Sequence, residues 1–294
     1  MTDLEGNSKT YFDLVTGNPR LKLKRRVQNL RIVGKYLKRT RSTPKIFLMG
    51  FQKCGTTTMY NNLLSTGKVI GAKRKEIDVL AEKNGSLSQL LYYFPKKKRG
   101  IESVNASHQT LFVPEGYKNF KKYFKPGDVK IVLMARDPVK RALSHFRYDK
   151  QLGLIKSDVD INKFLLRDLK IAKSVTDYSN REEIFKKSCY YSQYGSPIFR
   201  GIYYPYVAQL LNDGYQVKLL FLEEYQKNPK LKFEEVLDFL DLTDVDTDFL
   251  SNDRIFNRGT VIEEFSSEVE EEIREFFQPF NEQLFELTGK QSYF

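Results

Sequence analysis

The chain of 294 residues has no tryptophan and very few of the side chains that build metal centres or covalent frameworks: two cysteines, Cys54 and Cys189, and two histidines, His108 and His145. These four lie far apart in sequence, so no zinc-ligand spacing exists. Two thiols also make no disulfide framework, and a reducing compartment is expected. No run of about 18 uncharged apolar residues occurs, so no membrane span is expected. The opening MTDLEGNSKTYFD lacks the apolar centre of a secretory leader. Together these absences lead to the expectation of a cytoplasmic protein. Internal repeats and low-complexity linkers are absent too, which favours one main domain.

What is present is a hydrophobic content of 40%, with 14% aromatic residues, enough for a sizeable core without staples. Lysine and arginine number 49 against 37 acidic residues, a net charge of +12. Such a field concentrates anions, whether nucleic acid, membrane surface, sulfated glycan or nucleotide. Charge alone does not choose among them.

Residues 1–43 form a basic N-terminal segment. Within it, residues 20–41 (RLKLKRRVQNLRIVGKYLKRTR) carry Val27, Leu30, Val33 and Leu37 at helical spacing. That stripe predicts a helix packed on the domain. A basic amphipathic helix also has the composition for weak association with an anionic membrane surface, although this stripe has no Trp or Phe to anchor it.

From residue 44 to 294 the pattern alternates. KIFLMG, KVIG, GIESV and KIVLMAR read as strands, and TTTMYNNLLST, SLSQLLYYF, GYKNFKKYF and PVKRALSHFRY as helices. The alternation predicts an α/β fold with a central parallel sheet flanked by helices. Residues 160–212 read as mostly helical, QVKLLFLEEY as a further strand, and KLKFEEVLDFLDL and SSEVEEEIREFFQPFNEQLFEL as amphipathic helices.

The segment IFLMGFQKCGTTTMY, residues 46–60, follows an apolar strand and opens a helix. A nucleotide-triphosphate loop places its lysine after the second glycine. Here Thr56 holds that position and the lysine is Lys53, inside the loop. Gly50 and Gly55 permit a tight path, Gln52 and Cys54 complete the loop, and Thr56, Thr57 and Thr58 add hydroxyl donors. The free N–H groups of the helix start should face an anion. A second segment, KIVLMARDPVKRALSHF (130–146), sets Arg136 at a strand end, Pro138 at the start of the next helix and Ser144 two turns on. Ligands bind outside strand ends in open α/β sheets, and an arginine there offers a fork for a second phosphate.

This pair of segments resembles the sulfotransferases that use 3′-phosphoadenosine 5′-phosphosulfate (PAPS) and release 3′-phosphoadenosine 5′-phosphate (PAP). The resemblance implies a P-loop-like sulfotransferase domain over residues 44–294 that requires no metal. It implies that Lys53, Gly55, Thr56, Thr57 and Thr58 bind the 5′-phosphosulfate, and that Arg136 and Ser144 of an R-[ND]-P-x-x-R-x-x-S segment bind the 3′-phosphate. GIYYPYVAQLL, LLFLEEYQKNP and VLDFLDL follow the order of the family's later core. The tail EEEIREFFQPFNEQLFELTGK and the pair Lys75-Glu76 are similar to the heparan sulfate N- and 3-O-sulfotransferase branch. There are departures. That branch's E-K-T-P is Glu102, Ser103, Val104 and Asn105 here, and its K-G-R nucleotide loop is Asn257, Arg258, Gly259 and Thr260, with no flanking cysteines. Arg258, Gly259 and Thr260 are nonetheless counted with the donor-binding residues, and so is Tyr203, which matches a position near the 3′-phosphate.

Transfer of a sulfuryl group develops negative charge on the leaving phosphate, and Lys53 is the expected cation there. The acceptor must also lose a proton. Glu76, after the strand KVIG, is the expected base. His108 is its rival, because a histidine after the next core strand is the base of cytosolic enzymes acting on small phenols and alcohols. His145, in mid-helix, reads as a partly exposed residue. Tyr190, Tyr191, Tyr194, Tyr203, Tyr204 and Tyr206 read mainly as core, and Lys96 to Arg99 as a solvated turn. The expected acceptor is a carbohydrate or a small molecule rather than nucleic acid. Two other classes fit parts of the pattern: a nucleic-acid-binding protein, by charge alone, and a P-loop kinase, which needs ATP and magnesium.

Overall fold

The computed structural model describes residues 31–192, 195–250, 264–290 and 294. Five parallel strands, β1 (Ile46–Leu48), β2 (Val69–Gly71), β3 (Glu102–Ala106), β4 (Lys130–Ala135) and β5 (Gln216–Phe221), form one sheet in the order β2-β3-β1-β4-β5. β1 is central and wholly buried, with Ile46 opposite Val104 of β3 on one side and Lys130 of β4 on the other. Its apolar run is what a strand covered on both faces requires. The chain leaves β1 towards β2 on one side, and leaves β4 towards β5 on the other. The switch point, where a crevice opens beyond the strand ends, therefore lies between β1 and β4.

The helices of the anticipated pattern are present with small shifts. Pro114–Tyr123 begins on its proline, and Pro138–Gln151 begins after Asp137, whose carboxylate accepts from the N–H groups of Val139 (2.8 Å) and Lys140 (3.3 Å). Proline at the first turn and an aspartate cap together fix this start. The long Ser267–Thr288 helix buries Val269, Ile273, Phe277 and Leu284 and packs on Tyr204–Asn212, Pro138–Gln151 and Ile161–Lys173.

Two element boundaries differ from the sequence reading. β3 starts at Glu102 and continues through Asn105 and Ala106, because pairing with β1 and β2 outweighs the polar side chains of Ser103 and Asn105. QVKLLFLEEY does not stay extended: the strand ends at Phe221 and a helix, Leu222–Lys227, follows at once. Glu223 and Glu224 in its first turn and Lys227 in its last suit the helix dipole.

Of the basic segment, Arg31–Thr40 is a helix packed against Leu87–Tyr92, with Leu37 buried and Val33 half-buried. Ile32 and Tyr36 are 83% and 59% exposed. Val27 and Leu30 lie outside the described residues. Among the described residues no helix is long and apolar enough to cross a membrane.

Candidate active site

The loop after β1 stays on β4. Met49 and Phe51 donate to the carbonyls of Val132 (3.2 Å) and Met134 (3.0 Å), and a Cβ at Gly50 would lie 2.3 Å from the Met134 nitrogen. Only glycine allows that approach. Gly55 has φ of 83° and Lys53 φ of 68°, left-handed conformations that turn the chain abruptly into the helix Thr56–Ser65. The first bond closing that helix runs from Met59 N–H to Gly55 O at 3.2 Å. The N–H groups of Thr56, Thr57 and Thr58 thus stand at its open end, beside their own hydroxyls, in the arrangement that binds anions.

A buried polar layer backs this loop. Arg141 is fully buried, donates from Nη1 to Gln52 O (3.4 Å) and from Nη2 to Pro197 O, and lies 3.3 Å from His145 Nδ1. His145 Nε2 is 3.3 Å from Asp149 Oδ2, which also accepts from the Tyr191 hydroxyl at 2.6 Å. His145 is therefore a fully buried network residue, not a partly exposed one. Burial pulls its pKa down to about 4 against the opposing pull of Asp149.

Two loop-associated residues face inward. The Cys54 thiol is buried, 3.6 Å from Gln52 O and 3.7 Å from the Tyr203 hydroxyl, and burial pushes its pKa up to about 12. It is a neutral packing group. Tyr203 is buried as well; its hydroxyl donates to the carbonyl of Arg136 at 2.8 Å and its ring lies 4.3 Å from that of Phe51. Tyr203 thus ties the loop to Arg136 from behind. Its place in the core makes it a positioning residue rather than a ligand contact.

Lys53 Nζ sits 3.9 Å from the centroid of the Tyr148 ring. Burial lowers its pKa; Asp149 opposes this, while Arg136 and Arg141 push the same way. Tyr148 is one turn beyond Ser144 on the same helix face. The loop lysine therefore reaches the face that carries Ser144, close to Arg136 at the end of β4.

Glu76 has φ of 63°, and its N–H donates to Ala106 O at 2.8 Å, which fastens the turn after β2 to the end of β3. The two rival bases consequently meet: His108 Nδ1 lies 3.6 Å from Glu76 Oε1, an ion-pair separation longer than a hydrogen bond. They differ in access. Glu76 is 40% exposed, whereas His108 is 8% exposed and its Nε2 is buried without a partner. Lys75 Nζ donates to Glu76 Oε1 at 2.8 Å and to Thr56 Oγ1 at 3.3 Å, so it spans both halves of the site. Burial acts to raise the Glu76 pKa, but His108 and then Lys75 outweigh it and hold the carboxyl well below the usual range. Asp78 lies within electrostatic reach of Glu76 and His108 and accepts from the Ser107 hydroxyl at 2.7 Å.

Arg258, Gly259 and Thr260, and also Tyr194, lie outside the described residues. Lys96 to Arg99 are exposed, as a solvated turn would be. Arg141 and Lys75 stood in the segments read from sequence without being given roles of their own. Among the described residues no cluster of three or more His, Cys, Asp or Glu could hold a metal ion.

The fold is a central parallel sheet flanked by helices, with a glycine-containing loop and an open helix N-terminus at its switch point and Arg136 at the next strand end. The sulfotransferase domain family matches residues 43–274. The chain belongs to that family and is a sulfotransferase. Its fold is similar to that of a sulfotransferase from Alicyclobacillus acidocaldarius, with 21% identity and a TM-score of 0.61 over 85% of this chain and 98% of that one. Weaker likenesses are to the mouse sulfotransferase SULT7A1 complexed with PAP and to the sulfotransferase domain from the curacin biosynthetic pathway. The mouse protein has 17% identity and TM-score 0.45, with 75% of this chain and 67% of that one covered. The curacin domain has 12% identity and TM-score 0.42, with 73% and 79% covered. No curated protein matches the chain in sequence.

Proposed function

We propose that the protein moves the sulfuryl group of PAPS to a hydroxyl or amine of a carbohydrate-type acceptor, a glycan or glycolipid, and releases PAP. The observation that carries the reading is the Lys75 bridge from Thr56 of the donor loop to the exposed Glu76 carboxylate. It sets a base beside the point where the sulfuryl group would be held. The donor supplies an activated sulfuryl group. Lys53, Gly55, Thr56, Thr57 and Thr58 hold its 5′ end, with Lys53 offsetting charge on the leaving phosphate. Arg136 and Ser144 hold the 3′-phosphate, with Arg258, Gly259 and Thr260 counted with the donor-binding residues by sequence resemblance alone. Glu76 takes the acceptor's proton.

Preference for a sugar acceptor rests on Glu76 being the accessible base and on the Lys75-Glu76 pair resembling glycan sulfotransferases; the narrower likeness to the heparan sulfate branch rests on sequence features alone. A small hydroxylated metabolite is the second reading, favoured by the contact between His108 and Glu76. The reading further assigns the enzyme to the cytoplasm, divides the chain at residues 43 and 44, and leaves Ile32 and Tyr36, beside Lys35, Lys38 and Arg39, as a face for weak membrane-surface association.

Thermal-shift titration without magnesium tests the donor: PAP is expected to raise the melting temperature, and ADP and ATP to do so far less. Equal shifts for PAP and ADP would remove the assignment. A panel of oligosaccharides, phenols and steroids tests the acceptor, with turnover expected on sugars; turnover confined to phenols would overturn that part.

For Lys53→Ala the expected result is a larger loss in turnover than in donor affinity, because the ammonium acts mainly on charge formed in the transition state. Unchanged kcat with a raised donor KM would make Lys53 a ground-state anchor only.

A further inference from the structure

The exposed base presents a chemical difficulty. Glu76 is held by His108 and then Lys75 in a state that binds protons weakly, yet the proposed reaction asks it to accept one. Lys75 offers the resolution. Its side chain is 19% exposed and its Nζ is shared between Glu76 Oε1 at 2.8 Å and Thr56 Oγ1 at 3.3 Å. The left-handed backbone at Glu76, fixed by the bond from Glu76 N–H to Ala106 O, turns the chain where these two consecutive residues meet the start of the Thr56–Ser65 helix.

We propose that Lys75 couples occupation of the donor loop to the basicity of Glu76: without donor its ammonium holds the carboxylate, and with donor it shifts towards the anion seated at Thr56. The inference rests on the reading of the loop as the donor site and of Glu76 as the base. An ammonium between a single carboxylate charge and a multiply charged phosphosulfate, in a half-buried setting, is drawn to the larger charge. The groups remaining at Glu76 are then His108, from the turn after β3, and Asp78, two residues on in its own segment. In the transfer step the acceptor's O–H or N–H bond breaks and its proton passes to Glu76. The freed electron pair forms the new bond to sulfur, and the sulfur–phosphate oxygen bond breaks with its pair staying on PAP. Coupling of this kind makes the base stronger when there is a sulfuryl group to transfer, with His108 still beside it. An acceptor that enters first meets a carboxylate already neutralised by Lys75.

The test follows the titration of Glu76 itself by carboxyl carbon NMR, assigned by its loss in Glu76→Gln, with and without saturating PAP. In the unaltered protein PAP is expected to raise the midpoint by about one pH unit or more, tenfold in proton affinity. In Lys75→Gln the midpoint is expected to start higher, and the PAP-induced rise to shrink to half or less. Lys75→Arg, which keeps the charge, is expected to behave as the unaltered protein does. An equal PAP-induced rise in the unaltered protein and Lys75→Gln, or no rise in either, overturns the coupling. If Lys75→Gln no longer binds PAP, its free-protein midpoint decides, and an unchanged midpoint overturns the proposal. The underlying reading fails separately, either through absence of PAP binding to the unaltered protein or through full activity of Glu76→Gln.

Discussion

Replacing Glu76 by glutamine is expected to lower sulfuryl transfer by about two to four orders of magnitude, the range usual for a general base, while PAP affinity persists. Glutamine keeps the size and the acceptor oxygen, so Lys75 and the turn bound to Ala106 O retain a partner. What is lost is the capacity to take a proton. His108→Ala is expected to cost far less, since the histidine's Nε2 is sealed from an incoming hydroxyl and its Nδ1 faces Glu76. Steady-state rates of both variants against one sugar acceptor make the comparison. If His108→Ala abolishes transfer while Glu76→Gln stays active, the base and the preference for carbohydrate are both wrong. Activity is also expected to fall on the acid side, as a carboxylate required in its ionised form becomes protonated.

Arg136→Ala is expected to weaken PAP by about ten- to a hundredfold, the loss of a charged hydrogen bond of about 1.5–3 kcal/mol, and to leave AMP nearly unaffected. The contrast is diagnostic because the two nucleotides differ in the 3′-phosphate. The backbone at residue 136 is held independently, through the bond from the Tyr203 hydroxyl to its carbonyl, so truncating the side chain should not move the loop. Calorimetry of PAP and AMP on both proteins measures it. Equal losses for the two nucleotides would assign Arg136 to the 5′ end or to structure.

The parts of the molecule legible in the sequence are those where local pattern and tertiary setting agree. IFLM and IVLMA are apolar runs because β1 and β4 are covered on both faces, and Gly50 marks the loop where β4 leaves no room for a Cβ. β3 is shifted two residues towards the C-terminus from GIESV, since its partners decide its register. The contact between Glu76 and His108 could not be read from sequence: it depends on β2 and β3 being neighbours and on one backbone bond to Ala106. Read as separate candidates, they give no sign that His108 helps to hold the Glu76 carboxyl low. Arg141, His145 and Asp149 were illegible for another reason. Polar residues in a helix are counted towards the solvent face, yet these three sit buried beneath the loop after β1, where Arg141 donates to Gln52 O and Pro197 O and Asp149 accepts from the Tyr191 hydroxyl.

The strand order also bears on how the chain is made. β4 is a six-residue apolar strand next to the sheet's centre, and its outer neighbour β5 ends at Phe221, 86 residues beyond Ala135. At a synthesis rate of about 5–20 residues per second, β4 waits several seconds on the ribosome with one edge unpaired. An apolar edge of that length is a template for pairing with other chains. The interval between the two strands is filled by helices that bury Phe146, Leu165 and Leu169. Until β5 arrives, the β4 edge that it will pair with stays open, and early pairing with another chain competes with native folding.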